Sequence, residues 1–284
     1  LAALFPVVDL TPAGLDGVAA RVVTDDVAAA RARLLDRFPD GTPAGLARVT
    51  VEAPRPRLAV VIDDLGLHEA QLGPLWRLGQ PFTYAILPGR RWSRADEAFL
   101  DSRGATVLVH VPMESIYPSQ MTIGGYLRRD QTPAERLALW TRSLAAVPSA
   151  VGFNNHQGSA FTGRGDLLGP LLDALPTDYV VLDSRTTADT QLATLGQALG
   201  HPTASRDVFL DNHRDPEAGV AQLREALAIT KRQGYAVIIG HPYPETVEAL
   251  RRFLERHASE VHLVGIERVT DPPARPRWRR RCGR

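Results

Sequence analysis

A single cysteine, Cys282, stands in the 284-residue chain, close to its C-terminal end. One cysteine excludes an intramolecular disulfide framework and a cysteine-rich zinc site, and it leaves the redox compartment open. An excess of either charge is also missing: 33 basic residues face 32 acidic ones, for a formal net charge of +1. Nucleic-acid binding needs a clustered basic surface, so no nucleic acid is expected as a partner. The one basic run, Arg275–Arg284, is interrupted by Pro276 and reads as a short solvated tail. No stretch approaches the roughly 18 apolar residues of a membrane-crossing helix. The chain opens at Leu1 and not at a methionine, so a leader or anchor ahead of it is allowed for. Composition sets no oligomeric state.

Hydrophobic residues make up 44% of the chain, enough for a sizeable core. Residues 1–56 differ in texture from the rest. Leu1–Val8 is apolar, Asp25–Phe38 has the pattern of an amphipathic helix, and Pro54-Arg55-Pro56 has the look of a linker. This predicts an N-terminal appendage over 1–56, one regular domain over 57–270 and a basic tail over 271–284.

In the regular domain, short apolar runs recur at Leu58–Ile62, Thr83–Leu87, Thr106–Val109, Ala150–Phe153, Tyr179–Leu182, Val208–Leu210, Ala236–Ile239 and Val261–Val264. Continuous apolar runs suit strands buried on both faces. Helix starts lie between several of them. Thr132-Pro133-Ala134-Glu135 is a capping box, Asp215-Pro216-Glu217 opens a helix that Gly234 should end, and Pro244-Glu245 opens another. Strands alternating with helices imply a parallel sheet, and seven or eight such units predict an α/β fold, a closed or nearly closed (β/α) barrel.

Polar groups follow the strand runs. Asp63 and Asp64 follow Ile62, His110 follows Val109, and Asn154, Asn155 and His156 follow Phe153. Asp183 and Arg185 follow Leu182, Asp211 follows Leu210, and His241 follows Gly240. The C-terminal strand ends of a (β/α) barrel converge on one face, where active sites are built. One carboxylate and two imidazoles make a catalytic metal site with an open position for water. Asp64, His110 and His156 are the candidate ligands, and Asp63 and His241 the candidates for proton transfer. Asp211, by contrast, reads as a turn or cap ahead of Asp215. Asp63 and Asp64 can both reach one site only if the strand has ended there, since adjacent strand residues point oppositely.

At these residues the chain resembles the divergent polysaccharide deacetylases, a distant branch of the NodB-homology deacetylases of carbohydrate esterase family 4. The resembling segments are Val61–Gly66, His110–Glu114, Gly152–Ser159, Leu182–Thr186, Arg206–Asn212 and Gly240–Thr246, in order through the regular domain. The resemblance implies an irregular (β/α) barrel and divalent-metal-assisted hydrolysis, with zinc the first choice. The substrate it implies is an acetylated polysaccharide or cell-wall glycan that loses N-acetyl, or less often O-acetyl, groups. Carried over, Asp63 is the base, Asp64 a ligand, His241 the late catalytic histidine and Asp183 the acid that orients it. The chain departs from the superfamily's His-x-x-x-His motif, because the fourth residue after His110 is Glu114. The third ligand is then His156 or Glu114, and the strand-end argument favours His156. The superfamily's Arg-x-Pro-Tyr motif is absent, and Arg185 is the expected nearby positive charge. Asn154, Asn155, Ser159 and Glu114 are candidates for substrate contact, and Trp92, Tyr117 and Tyr126 for stacking on sugar rings. Such substrates lie outside the cytoplasm, which predicts a periplasmic or extracellular protein. Two other readings remain: a barrel that binds a glycan without turning it over, and a metal-dependent hydrolase of another amide or ester.

Overall fold

The computed structural model of the chain describes residues 8–12, 18–23, 30, 32–34, 36, 46–52 and 55–270. The chain falls into two compact units, divided between Arg55 and Pro56. In the first, β1 (Val8–Pro12), β2 (Val18–Val23) and β3 (Leu46–Glu52) form a sheet in that order, antiparallel and then parallel. The described residues between 30 and 36 are helical, inside the predicted helix, and a parallel pair needs such a crossover. The predicted basic tail and Cys282 lie outside the described residues.

The second unit holds β4 (Arg57–Leu65), β5 (Thr83–Ile86), β6 (Thr106–Met113), β7 (Gly152–Gln157), β8 (Val180–Asp183), β9 (Thr203–Ser205), β10 (Val208–Phe209), β11 (Tyr235–Gly240) and β12 (His262–Val264). Their order is β10-β11-β4-β5-β6-β7-β8-β9, every pairing is parallel, and β12 lies against the first residues of β4. Chain neighbours are therefore sheet neighbours around a ring that opens between β9 and β10. This is the expected irregular (β/α) barrel, with eight strands in the ring and β12 beside it. No helix among the described residues is long and apolar enough to cross a membrane.

Two apolar layers hold the barrel. Leu58, Val60 and Ile62 of β4 pack with helix residues such as Leu72, Trp140, Leu223 and Leu250 in the layer outside the sheet. Ala59 and Val61 pack instead with Ala85, Leu108, Val180, Leu182, Val237 and Ile239, all from strands. Successive strand side chains face opposite ways, so this second, smaller-volume set fills the interior. Parity then decides which polar residues point inward. Continuing the interior positions gives Asp63 on β4, His110 on β6, Asn154 and His156 on β7, and His241 after β11. Asp183 and Asn155 have the parity of Val181 and Phe153 in the outer layer.

The helix starts are as predicted. Thr132 caps the Pro133–Ala145 helix in a reciprocal box with Glu135, Asp215 caps Pro216–Gln233, and Gly234 ends that helix in the left-handed conformation. Gly152 at the start of β7 is required for a different reason. A Cβ there would lie 2.4 Å from the Val180 carbonyl oxygen, which belongs to the paired strand. Gly152→Ala is expected to destabilise the barrel by roughly 2–3 kcal/mol, since neighbouring backbone must move. Thermal unfolding of the variant would show a lower Tm with an unchanged site.

Candidate active site

Asp64 is the residue that parity alone would place wrongly. It follows the inward Asp63 and should face outward with Ile62. Between Ile62 and Leu65 the register of β4 against β5 shifts, and Asp64 takes φ +61°. A left-handed residue at a bulge re-aims its side chain, at a cost of roughly 1 kcal/mol for an aspartate. The strand has not ended at Asp63, as the sequence required for both carboxylates to reach the site. It is bulged, and the effect is the same.

Three atoms now converge. Asp64 Oδ1 lies 3.2 Å from His110 Nε2 and 2.9 Å from His156 Nδ1, and the two ring nitrogens are 3.2 Å apart. Asp64 Oδ1 is buried and has no hydrogen bond of good geometry, although both imidazoles are close. Ligand atoms about 2.0–2.2 Å from a zinc ion lie roughly 3.0–3.5 Å from one another. The triangle therefore fits a divalent cation, and it is the one such cluster found among the described residues. Glu114 is outside it. Its carboxylate accepts from the Arg129 backbone and guanidinium at 2.7, 3.2 and 3.1 Å, so of the two candidates for the third corner it is His156 that stands in the triangle. Glu114 is engaged in that pair.

Buried hydrogen bonds help to fix the triangle. Asn154, fully buried, accepts at Oδ1 from His110 Nδ1 at 2.8 Å, which leaves His110 Nε2 free for a cation. Its Nδ2 donates to Asp63 Oδ1 at 2.8 Å and to Ser184 at 3.2 Å. Asn154 thus ties the expected base to an expected ligand, and it is fully buried. Asn155 and Ser159 are structural as well. Asn155 accepts from the Ser184 backbone and donates to the Gln157 carbonyl, and Ser159 accepts from the Ile116 backbone. All four candidates for substrate contact are thus engaged in hydrogen bonds within the protein, and Asn154 and Asn155 are buried.

The other Asp63 oxygen, Oδ2, faces the triangle 3.6 Å from His110 Nε2. Burial pushes the Asp63 carboxyl above its ordinary pKa, and the charges of His110 and His241 offset this only in part. That is the direction a general base needs. Burial also acts to raise Asp64, but contact with His110 and His156 outweighs it and holds that carboxyl well below the usual range.

On the opposite flank His241 Nε2 lies 3.7 Å from Asp64 Oδ2. The imidazole sits between Phe209 and Tyr243, with ring centroids at 5.5 and 5.3 Å. Its orienting acid is Asp211, not Asp183. Asp211 takes the His241 Nδ1 at 2.9 Å, its backbone N–H at 2.6 Å and the Thr246 hydroxyl at 2.7 Å. Asp183 has outward parity, and it accepts from the Arg185 backbone, the Thr190 hydroxyl and the Ala193 backbone. Sheet order explains the exchange. Asp211 follows β10, the neighbour of β11, whereas β8 lies across the open join. Arg185 is exposed, with φ +50°. A half-buried cation that feels the Asp63 charge is Arg206, held by the Ser184 and Arg185 carbonyls at 2.7 and 2.9 Å. Of the aromatic candidates, Tyr126 comes nearest, with its ring 6.2 Å from that of His156. Tyr117 is exposed on the same loop, and the Trp92 indole is covered by Arg91.

Burial acts against charge on His241, but the Asp211 hydrogen bond and the charges of Asp211, Asp64 and Asp63 prevail and raise its pKa to about 9. In the metal-free protein this pair stabilises the fold fully below pH 6.5, and the contribution is lost as the pH rises through about 9. Asp211→Asn is expected to move the His241 titration down towards or below its ordinary value. An NMR titration of the imidazole in metal-free protein reads it, and an unmoved pKa would show that Asp211 does not control this group.

Comparison with known proteins agrees with the architecture. Over 211 residues the chain is 29% identical to an uncharacterized protein of Haemophilus influenzae, covering 74% of this chain and 75% of that one. It is 28% identical over 218 residues to the uncharacterized protein YibQ of Escherichia coli K12, covering 76% and 68%. An uncharacterized protein from Agrobacterium tumefaciens has a crystal structure that superimposes with a TM-score of 0.68, at 21% identity, over 80% of this chain and 96% of that one. The model of the family described as divergent polysaccharide deacetylase matches residues 60–270, nearly the whole barrel, and the chain belongs to that family.

Proposed function

We propose that the protein is a metal-dependent hydrolase that removes acetyl groups, N-acetyl above all, from a carbohydrate polymer or oligomer. The observation that carries this reading is the Asp64, His110 and His156 triangle, with a raised carboxylate on one flank and a charged imidazole on the other. A divalent cation held there, zinc by the donor set, would acidify a water and polarise the acetyl carbonyl. Asp63 takes the proton of the attacking water at Oδ2 while Asn154 holds its other oxygen. His241 delivers a proton from Nε2 to the departing amine, and Asp211, engaging Nδ1, favours the protonated ring that this step needs. Asn154 and Asp211 also prevent either ring from rotating away.

The glycan substrates this chemistry suits lie outside the cytoplasm, so we place the protein in the periplasm or beyond the cell. The test is acetate release by zinc-loaded protein from acetylated glucosamine oligomers, peptidoglycan fragments and acetylated exopolysaccharide. Release from amide-linked substrates ahead of ester-linked ones is expected. No acetate from any of them would end the deacetylase reading.

A further inference from the structure

Two connected lobes open beside the site, enclosed by the loops after β5 and β6 and by the Pro133–Ala145 helix. The larger, of about 560 Å³, includes Tyr126, Arg128 and Arg142 in its lining. The smaller, of about 270 Å³, includes Arg90 and Ser143. Gly124, Gly125, Leu139 and Arg142 line both. Together they have the size of a ligand pocket. Tyr126 joins them to the site, because it lines the larger lobe and its ring lies against His156. Its hydroxyl is sealed from solvent without a hydrogen-bond partner of good geometry.

The charge of these walls is one-sided. Three arginines line the lobes and no carboxylate does, in a chain whose net charge is only +1. Arg128 is neutralised by Asp130 at 2.8 Å. Arg90 spends Nε and Nη2 on the Pro88 and Gly124 carbonyls at 3.1 Å each, which fixes its guanidinium and leaves its charge uncompensated. Arg142 has no hydrogen bond or ion pair among the described residues. It stands, exposed to solvent, in the last turn of its helix, where a cation is favourable, and no protein acceptor among the described residues takes any of its five side-chain donors. Two uncompensated guanidinium groups over a cavity attract an anion, and their donors match the oxygens of a carboxylate or phosphate.

We infer that this cleft is a subsite for an anionic substituent, carboxylate or phosphate, on the glycan whose acetyl group is presented to the metal triangle. The substrate is then an acidic glycan and not a neutral one. The inference rests on the deacetylase reading for the identity of the ligand as a glycan, and its test is independent of turnover.

Three oligosaccharides of equal length serve as probes: an N-acetylglucosamine tetramer, a tetramer alternating glucuronate with N-acetylglucosamine, and an N-acetylglucosamine tetramer bearing phosphate. Their dissociation constants are measured by calorimetry at low and high salt. At least one anionic probe should bind about tenfold more tightly than the neutral one at low salt, with the advantage shrinking at high salt. Whichever anion binds more tightly names the substituent. Arg142→Ala and Arg90→Ala should each remove most of that advantage, and Arg142→Lys should keep part of it. Equal affinities, an advantage that survives Arg142→Ala, or no binding of any probe would overturn the subsite. Acetate release from the same probes separates the two ideas. Binding with the acidic preference but without release leaves the subsite and removes the deacetylase, while release without the preference does the reverse.

Discussion

Asp63→Asn is expected to lower kcat by roughly 10²–10⁴-fold, the usual contribution of a positioned general base. The substitution is nearly isosteric, and the amide oxygen it introduces would still accept from Asn154 Nδ2, so fold and ligand positions should persist. Metal affinity should then fall by less than about tenfold, because Asp63 lies beside the triangle and not in it. This split between lost turnover and kept metal distinguishes a base from a ligand. A variant that binds metal as before and turns over at the wild-type rate would remove Asp63 from the mechanism. A variant that loses the metal would move Asp63 into the ligand set.

His156→Ala is the complementary case. It removes one corner of the triangle and should weaken zinc binding by more than the roughly 10–100-fold typical of losing a supporting hydrogen bond. Glu114→Gln provides the control. Its carboxylate is paired with Arg129, and breaking an ion pair with one exposed partner should leave metal affinity unchanged. Competition with a chromophoric chelator reads both variants. If His156→Ala binds zinc normally while Glu114→Gln does not, the third ligand has been assigned to the wrong residue.

Most of the site was legible because the apolar strand runs, and the polar residues that follow them, can be read from the sequence. Asp63, His110, Asn154, His156 and His241 continue the interior positions of their strands, and the barrel brings those positions to one end. Three things were hidden. The strands run past their apolar runs, so His110 and His156 lie within β6 and β7 and not after them. Asp64 depends on a bulge, and no apolar pattern marks a left-handed residue that is not glycine. The orienting acid depends on which strand lies beside β11. Asp183 and Asp211 both follow apolar strand runs, and only the sheet order separates them. That order was obscured by β9, whose Thr203-Ala204-Ser205 is too short and polar to announce a strand. The opening of the barrel falls immediately after it.

The central claim is that one divalent cation, held by Asp64, His110 and His156, is needed for acetyl hydrolysis. Stepwise addition of zinc to chelator-stripped protein, with acetate release followed at each step, tests it most directly. The account predicts no release at the start, a linear rise, and a break at one equivalent per chain. Full activity in the stripped protein, or none after one equivalent is bound, would contradict it.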